Sequence, residues 1–107
     1  MFDKATVINK VKSFSKELIN IGIKLDSVIL FGSYSKNQQH DFSDIDVALV
    51  SDSFSGIGYF DRKLFSKINV KKEFIEIEPK TYSTEYFLLG DPFIDEIKAT
   101  GIFIDLG

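Results

Sequence analysis

The segment Ser27–Phe31, "SVILF", is apolar on both of the faces that a strand would present. Such a strand cannot lie on a solvated sheet surface, so it must run through the middle of a sheet covered above and below. The rest of the chain supplies the other strands and the cover. "DIDVALV" (Asp44–Val50) reads as a second strand. "EFIEIE" (Glu73–Glu78) reads as a third that stops at Pro79, and "IFIDL" near the end as a possible edge strand. Asp3 can cap a first helix whose apolar residues Val7, Val11, Phe14, Leu18 and Ile21 are spaced by four and three, with Gly22 as its stop. A polar loop, "SDSFSGIG", precedes a helix from about Tyr59 to Asn69, whose Phe60, Leu64, Phe65 and Ile68 share one side. Ser83 can start a short helix, and Asp91-Pro92 opens a last one that ends before Gly101. The expected architecture is α/β (α+β): a mixed β-sheet of about four strands flanked by helices, in one domain over residues 1–107.

Composition narrows the function. With 13 basic against 16 acidic residues the net charge is −3, and no basic block offsets it, so direct duplex nucleic-acid binding is not expected. The absence of cysteine removes disulfides and thiolate metal sites. No run nears the ~18 apolar residues of a membrane helix, and "MFDKATVINK" has no leader pattern, so a cytoplasmic protein away from the membrane is expected. Eleven phenylalanines carry no polar handle; most should fill the core, while a few could form an outer face for a partner.

The chemistry concentrates in "LFGSYSKNQQHDFSDIDVALV", Leu30–Val50. Residues two apart in a strand point the same way, so Asp44 and Asp46 share a side while Ile45, Val47 and Leu49 face the core. Paired carboxylates suit a hard divalent cation such as Mg²⁺. Gly32 permits a sharp turn and close approach of a ligand, and Ser33 adds a hydroxyl and an N–H suited to phosphate, at the start of an expected short helix. Phosphate, metal and carboxylates together are the equipment of nucleotidyl transfer, in which two ions about 3.5–4 Å apart clamp the attacking and leaving oxygens. A third carboxylate could come from Glu76 or Glu78, and geometry alone leaves both open. The bland alternatives are a solvated strand edge for the aspartates and a common turn for Gly32-Ser33. His40 in the loop receives no role, and Lys71, Lys72 and Glu73 read as a solvated loop.

"GSYSKNQQHDFSDID" resembles the hG-[GS]-x(9–13)-D-h-[DE]-h signature of the DNA polymerase β-like nucleotidyltransferases, with a step of 12 from Gly32 to Asp44. The ending "FIEIEPKTYSTEYF…DPFIDEIKATGIFID" is similar to the minimal nucleotidyltransferases of bacteria and archaea. The resemblance implies the polymerase β-like fold and transfer of AMP from ATP with Mg²⁺, two ions being expected. It makes Asp44, Asp46 and Glu76 the catalytic and metal-binding residues, with Glu78 a neighbour. Gly32, Ser33 and Lys36 would bind the nucleotide phosphates. It also implies a HEPN-domain partner, silenced as in a toxin–antitoxin pair. Three positions depart from the pattern. A glutamate stands for the usual aspartate at Glu76. Tyr34 replaces an arginine and should remove a positive charge near the triphosphate. Asn37 replaces a glycine, in a turn it can still adopt. Arg62, the chain's one arginine, has no assigned place. Two rival readings stand beside this one: a non-catalytic module that occludes its partner, and an aminoglycoside-type enzyme acting on small molecules, which the missing substrate domain weakens.

Overall fold

The computed structural model describes residues 2–39 and 44–106; His40 lies outside them. The element order is α1 (Lys4–Asn20), β1 (Ser27–Phe31), β2 (Ile45–Val50), α2 (Gly58–Arg62), α3 (Ser66–Asn69), β3 (Ile77–Tyr82), α4 (Thr84–Leu89), α5 (Pro92–Thr100) and β4 (Ile102–Phe103). The sheet runs β3-β2-β1-β4, antiparallel except for the β2–β3 pair. That parallel pair needs a crossover, and the segment with α2 and α3 supplies it. The expected mixed sheet of four strands flanked by helices is what forms.

β1 is central, and Val28, Ile29 and Leu30 are all buried. Their alternation divides the core in two. Val28 and Leu30 join Ile45, Val47, Leu49 and Ile77 beneath Val7, Val11, Phe14 and Leu18 of α1. Ile29 joins Ala48, Val50 and Tyr82 beneath Phe87 of α4 and Ile94 and Ile97 of α5. Phe14, Phe54, Phe65 and Phe74 meet edge to face on the α1 side, with centroids 5.4–6.1 Å apart. Phe60, Phe93 and Phe103 remain exposed.

Helix ends follow their capping chemistry. The side chains of Asp3, Ser83 and Asp91 accept from the N–H groups of Thr6, Tyr86 and Ile94. α1 closes in a Schellman turn: Gly22, at φ 97°, donates to Ile19 O, and Ile23 N–H reaches Leu18 O. Ile21 therefore leaves the apolar face and is exposed, contrary to the periodicity.

Two elements differ from expectation. The helix over 59–69 is two short ones, with Phe65 and Ile68 buried but Phe60 and Leu64 exposed. The third strand is shifted towards the C-terminus. Residues 71–76 form turns, closed by Phe74 N–H to Lys71 O and Ile77 N–H to Phe74 O, and Asn69 Nδ2 donates to the carbonyls of Phe74 and Ile77. β3 then begins at Ile77 and passes through Pro79 instead of ending there. β3 is a sheet edge, where a missing N–H is tolerated.

Asp61 ties the crossover to β3. It is 3% exposed and accepts from Ser55 N–H, Ser55 Oγ, Gly56 N–H and Thr81 Oγ1 at 2.7–2.9 Å. Burial pushes its carboxyl up, but these donors outweigh burial and hold it below its ordinary 3.8. The stability it contributes is complete above pH 3.8 and is lost as pH falls through the depressed folded value. Asp61→Asn should cost about 2–3 kcal/mol in urea unfolding at neutral pH, and the difference from wild type should narrow on acidification below pH 3.8.

Candidate active site

Asp46 sits on β2 with its side chain on the Ala48 and Val50 face, opposite α1. It is half-buried, while Asp44 is exposed at the entry to the strand. Two neighbours approach Asp46 across the sheet. In β1 its partner is Phe31, so Gly32 follows immediately alongside. Gly32 has φ 73°, and a Cβ there would lie 2.3 Å from Asp46 Oδ2. Only glycine lets the chain turn this close to the carboxylate. In β3 the partner of Asp46 is Glu78.

Electrostatics agree with this placement. Burial first, then the charges of Asp44 and Glu78, push the Asp46 carboxyl above its ordinary 3.8. Among the described residues no three acidic or imidazole side chains are already closed around one point. The donor set nevertheless fits a hard divalent cation: oxygen ligands only, mutually repelling, beside backbone that a Cβ would obstruct.

Glu76 is placed differently. It lies in the turn before β3, where its carbonyl accepts from Ile45 N–H. Its carboxylate is 4.0 Å from Lys10 of α1, the helix on the opposite face from Asp46. The expected shared face of Glu76 and Glu78 required a strand through both; the turn at 71–76 breaks it, so the structure sets Glu78, not Glu76, beside Asp46.

The Gly-Ser turn is compact. Gly32 O accepts from Lys36 N–H and Ser35 Oγ, and Ser33 O accepts from Gln38 N–H at 2.8 Å. It forms consecutive turns in place of the expected short helix. Asn37 takes φ 57°, the left-handed geometry expected of it. Tyr34 is fully buried, its hydroxyl accepting from Phe2 N–H, so this position points into the core and not towards a phosphate. Lys36 is drawn to Glu96 of α5 at 3.0 Å. Arg62 takes an unforeseen place: with Asp46, Glu78, Lys80 and Gly58 it lines a cleft of about 340 Å³. Its Nε donates to Gly58 O, and a Cβ at Gly58 would lie 2.8 Å from Arg62 Nη2. No spacing in the sequence signals the place of Arg62 in the cleft, because it depends on how α2 packs on β3.

A four-stranded mixed sheet with a Gly-Ser turn leaving β1 and carboxylates side by side on β2 and β3 defines an enzyme of the nucleotidyl-transfer class. The comparison with known proteins agrees: residues 8–102 match the nucleotidyltransferase domain, and the chain belongs to that family. It is 31% identical to the "Putative protein adenylyltransferase MJ0141" of Methanocaldococcus jannaschii, over 90% of this chain and 96% of that one. The crystal structure of a "putative nucleotidyltransferase" from Sulfolobus solfataricus superposes with a TM-score of 0.65 at 18% identity, over 94% of this chain and 80% of that one, a likeness in fold. The chain is a nucleotidyltransferase, of a family that uses a nucleoside triphosphate and a divalent metal. Among the described residues no helix is long and apolar enough to cross a membrane.

The raised Asp46 carboxyl has a measurable consequence. Its cost to the fold is absent below pH 3.8, grows as pH rises through the raised folded value, and is complete above it. Asp46→Asn in metal-free buffer should therefore raise Tm at pH 7, and the gain should shrink as pH is lowered towards 3.8. Calorimetric scans of both proteins between pH 4 and 8 check this; a lower Tm for the variant at pH 7 contradicts it.

Proposed function

We propose that the chain transfers an adenylyl group from ATP, with Mg²⁺, to a hydroxyl side chain of a partner protein. The expected partner is a HEPN-domain protein silenced by the transfer, as in a toxin–antitoxin pair. The observation that carries the reaction is the register of Asp46 with Glu78 beside the Gly32 turn. The adenylyl group is supported by the name of the Methanocaldococcus relative.

In this reading Asp44, Asp46 and Glu78 hold the metal, Glu78 taking the part first expected of Glu76. Mg²⁺ supplies charge neutralisation at the reacting phosphate and its leaving group. The Gly32 backbone and Ser33 accept the terminal phosphates against the turn, where no Cβ intervenes. Lys36, expected at the phosphates, is paired at the surface with Glu96; Arg62 and Lys80 line the cleft itself. The acceptor oxygen forms a bond to the α-phosphorus, and the bond from that phosphorus to the bridging oxygen breaks. The electron pair leaves with pyrophosphate, and the hydroxyl proton passes to Glu78.

The occluding-module rival drew on the departures at Tyr34, Asn37 and Glu76. Tyr34 is a core residue and Asn37 keeps the turn, and in this reading Glu78, in register with Asp46, supplies the third carboxylate, so those departures carry less weight for the rival.

The full chain incubated with its HEPN partner, ATP and Mg²⁺ should add the mass of one or more AMP units to the partner, read by intact-protein mass spectrometry. The modified partner should stay inactive after separation; inhibition without a mass change, reversed on separation, would establish occlusion instead. Asp44→Asn with Asp46→Asn should abolish transfer and also abolish the rise in Tm that Mg²⁺ gives the wild type. Glu78→Gln should lower the rate by roughly 10² or more, while Glu76→Gln changes it little. A larger loss at Glu76 would return the third position to that residue.

A further inference from the structure

Two short helices present apolar side chains to water instead of to the core. α2 buries a single residue, the carboxylate Asp61. Tyr59 and Phe60 of α2 are exposed, as are Ile57 before it and Leu64 after it. Donors on the preceding loop and on β3 hold α2 through Asp61, so its attachment does not use these side chains. α4 likewise buries only Phe87 and leaves Tyr86, Leu88 and Leu89 outside, the two leucines 76% and 78% exposed. Clustered apolar groups of this kind mark a surface that another molecule covers.

The two faces differ in charge. From Ser53 to Lys72 the chain carries five cations against one acidic residue, Asp61, which is buried. Lys63 lies within the apolar patch, its ammonium 4.4 Å from the Tyr59 ring and 5.9 Å from that of Phe60. From Ser83 to Ile97 the residues are acidic at Glu85, Asp91, Asp95 and Glu96, with no cation among them. Asp91 is engaged by Tyr86 and Ile94, and Glu96 by Lys36. Lys63, Glu85 and Asp95 form no ion pair among the described residues. Asp95 stands close to the end of α4, since a Cβ at Gly90 would lie 3.3 Å from its Oδ1.

Both faces border one opening. The carboxylate cleft continues into a cavity of about 750 Å³, the two sharing Gly56, Lys80 and Thr81. Ile57 lines this cavity from the α2 side, and Glu85, Tyr86 and Leu89 line it from the α4 side. A two-fold axis through the opening sets the α2 face of one protomer against the α4 face of its partner, and each contact is then made twice. We propose that a second copy of this chain covers the opening in a closed dimer. Ile57, Tyr59, Phe60 and Leu64 of one protomer pack on Tyr86, Leu88 and Leu89 of its partner, and Lys63 faces Glu85 and Asp95. A protein fits better than a nucleic acid. Tyr59 and Phe60 meet edge to face with planes at 74°, and Lys63 lies over both, so they make no parallel platform for bases. The acidic apolar face that complements α2 is present on this same chain. The inference does not rest on the reaction proposed above.

Sedimentation velocity of the full chain, raised to roughly 0.5 mM, tests it. The mass should climb from that of one chain to that of two and stop there, and added salt should weaken the association. Lys63→Glu, and separately Glu85→Lys with Asp95→Lys, should each weaken it about tenfold or more, because every contact is lost twice. Mixing these two variants should restore the dimer, since reversed faces then meet each other and so do the unreversed ones. Leu88→Ser, at an exposed position, should weaken association while the Tm of the dilute protein holds. A chain that stays monomeric overturns the proposal and gives both faces to a different protein. Assembly that continues past two copies, association that these variants leave unchanged, or a mixture that fails to recover overturns the pairing of α2 with α4.

Discussion

The contact on which the site depends is the approach of the Gly32 backbone to the Asp46 carboxylate. Any side chain at Gly32 would occupy the space of Asp46 Oδ2, and its φ of 73° also disfavours one. Without that approach β1 could not deliver its turn beside the carboxylates of β2 and β3. The antiparallel register that aligns Phe31 with Asp46 and the parallel register that aligns Asp46 with Glu78 then act as two rulers meeting at one residue. Strands fix such positions more rigidly than loops can, which suits a reaction in which placement supplies much of the rate.

Two aspartates show how the chain divides stability from activity. Asp61 is buried among four donors and strengthens the fold by being ionised. Asp46 is half-buried beside two other carboxylates, and its ionisation weakens the metal-free fold. The first is what packing alone would select. The second is not what packing alone would select, and a group perturbed in this way within a cleft points towards function. Asp61 also holds Ser55 and Gly56 against Thr81, so the stabilising carboxylate shapes the wall of the cleft that the destabilising one occupies.

Most of the frame was legible in the chain. The apolar strand Ser27–Phe31, the caps at Asp3, Ser83 and Asp91, and the terminal strand near Ile102 were readable because each rests on local chemistry. What failed was of two kinds, turns closed within a short segment and contacts made across the fold. The alternation in Glu73–Glu78 has the period of a strand, but the Asn69 side chain and the demand to bury Phe74 impose turns there, moving the strand to Ile77 and setting Glu78, in place of Glu76, in register with Asp46. Tyr34 looked like a lost cation because the family pattern places arginine there, yet its ring belongs to the core beside α1. Arg62 could not be placed at all, since its position in the cleft follows from the docking of α2 on β3.

The edge strand shows why the open side of this sheet can serve chemistry. An exposed strand edge invites pairing with another chain. β3 carries Pro79, which lacks an N–H, and exposed Glu78 and Lys80 on either side of it. The loop at Ser55 and Gly56, pinned through Asp61 to Thr81, lies along the same strand. Together these blunt the edge without filling it, and the space left is the continuous cleft and cavity that share Gly56, Lys80 and Thr81. An apolar residue at position 80 would remove the charge that discourages pairing and, at once, the cation at the junction of the two spaces. Protection of the edge and access to the carboxylates are therefore served by the same few residues, which explains why the strand begins where the turns end and runs through a proline that a central strand could not accept.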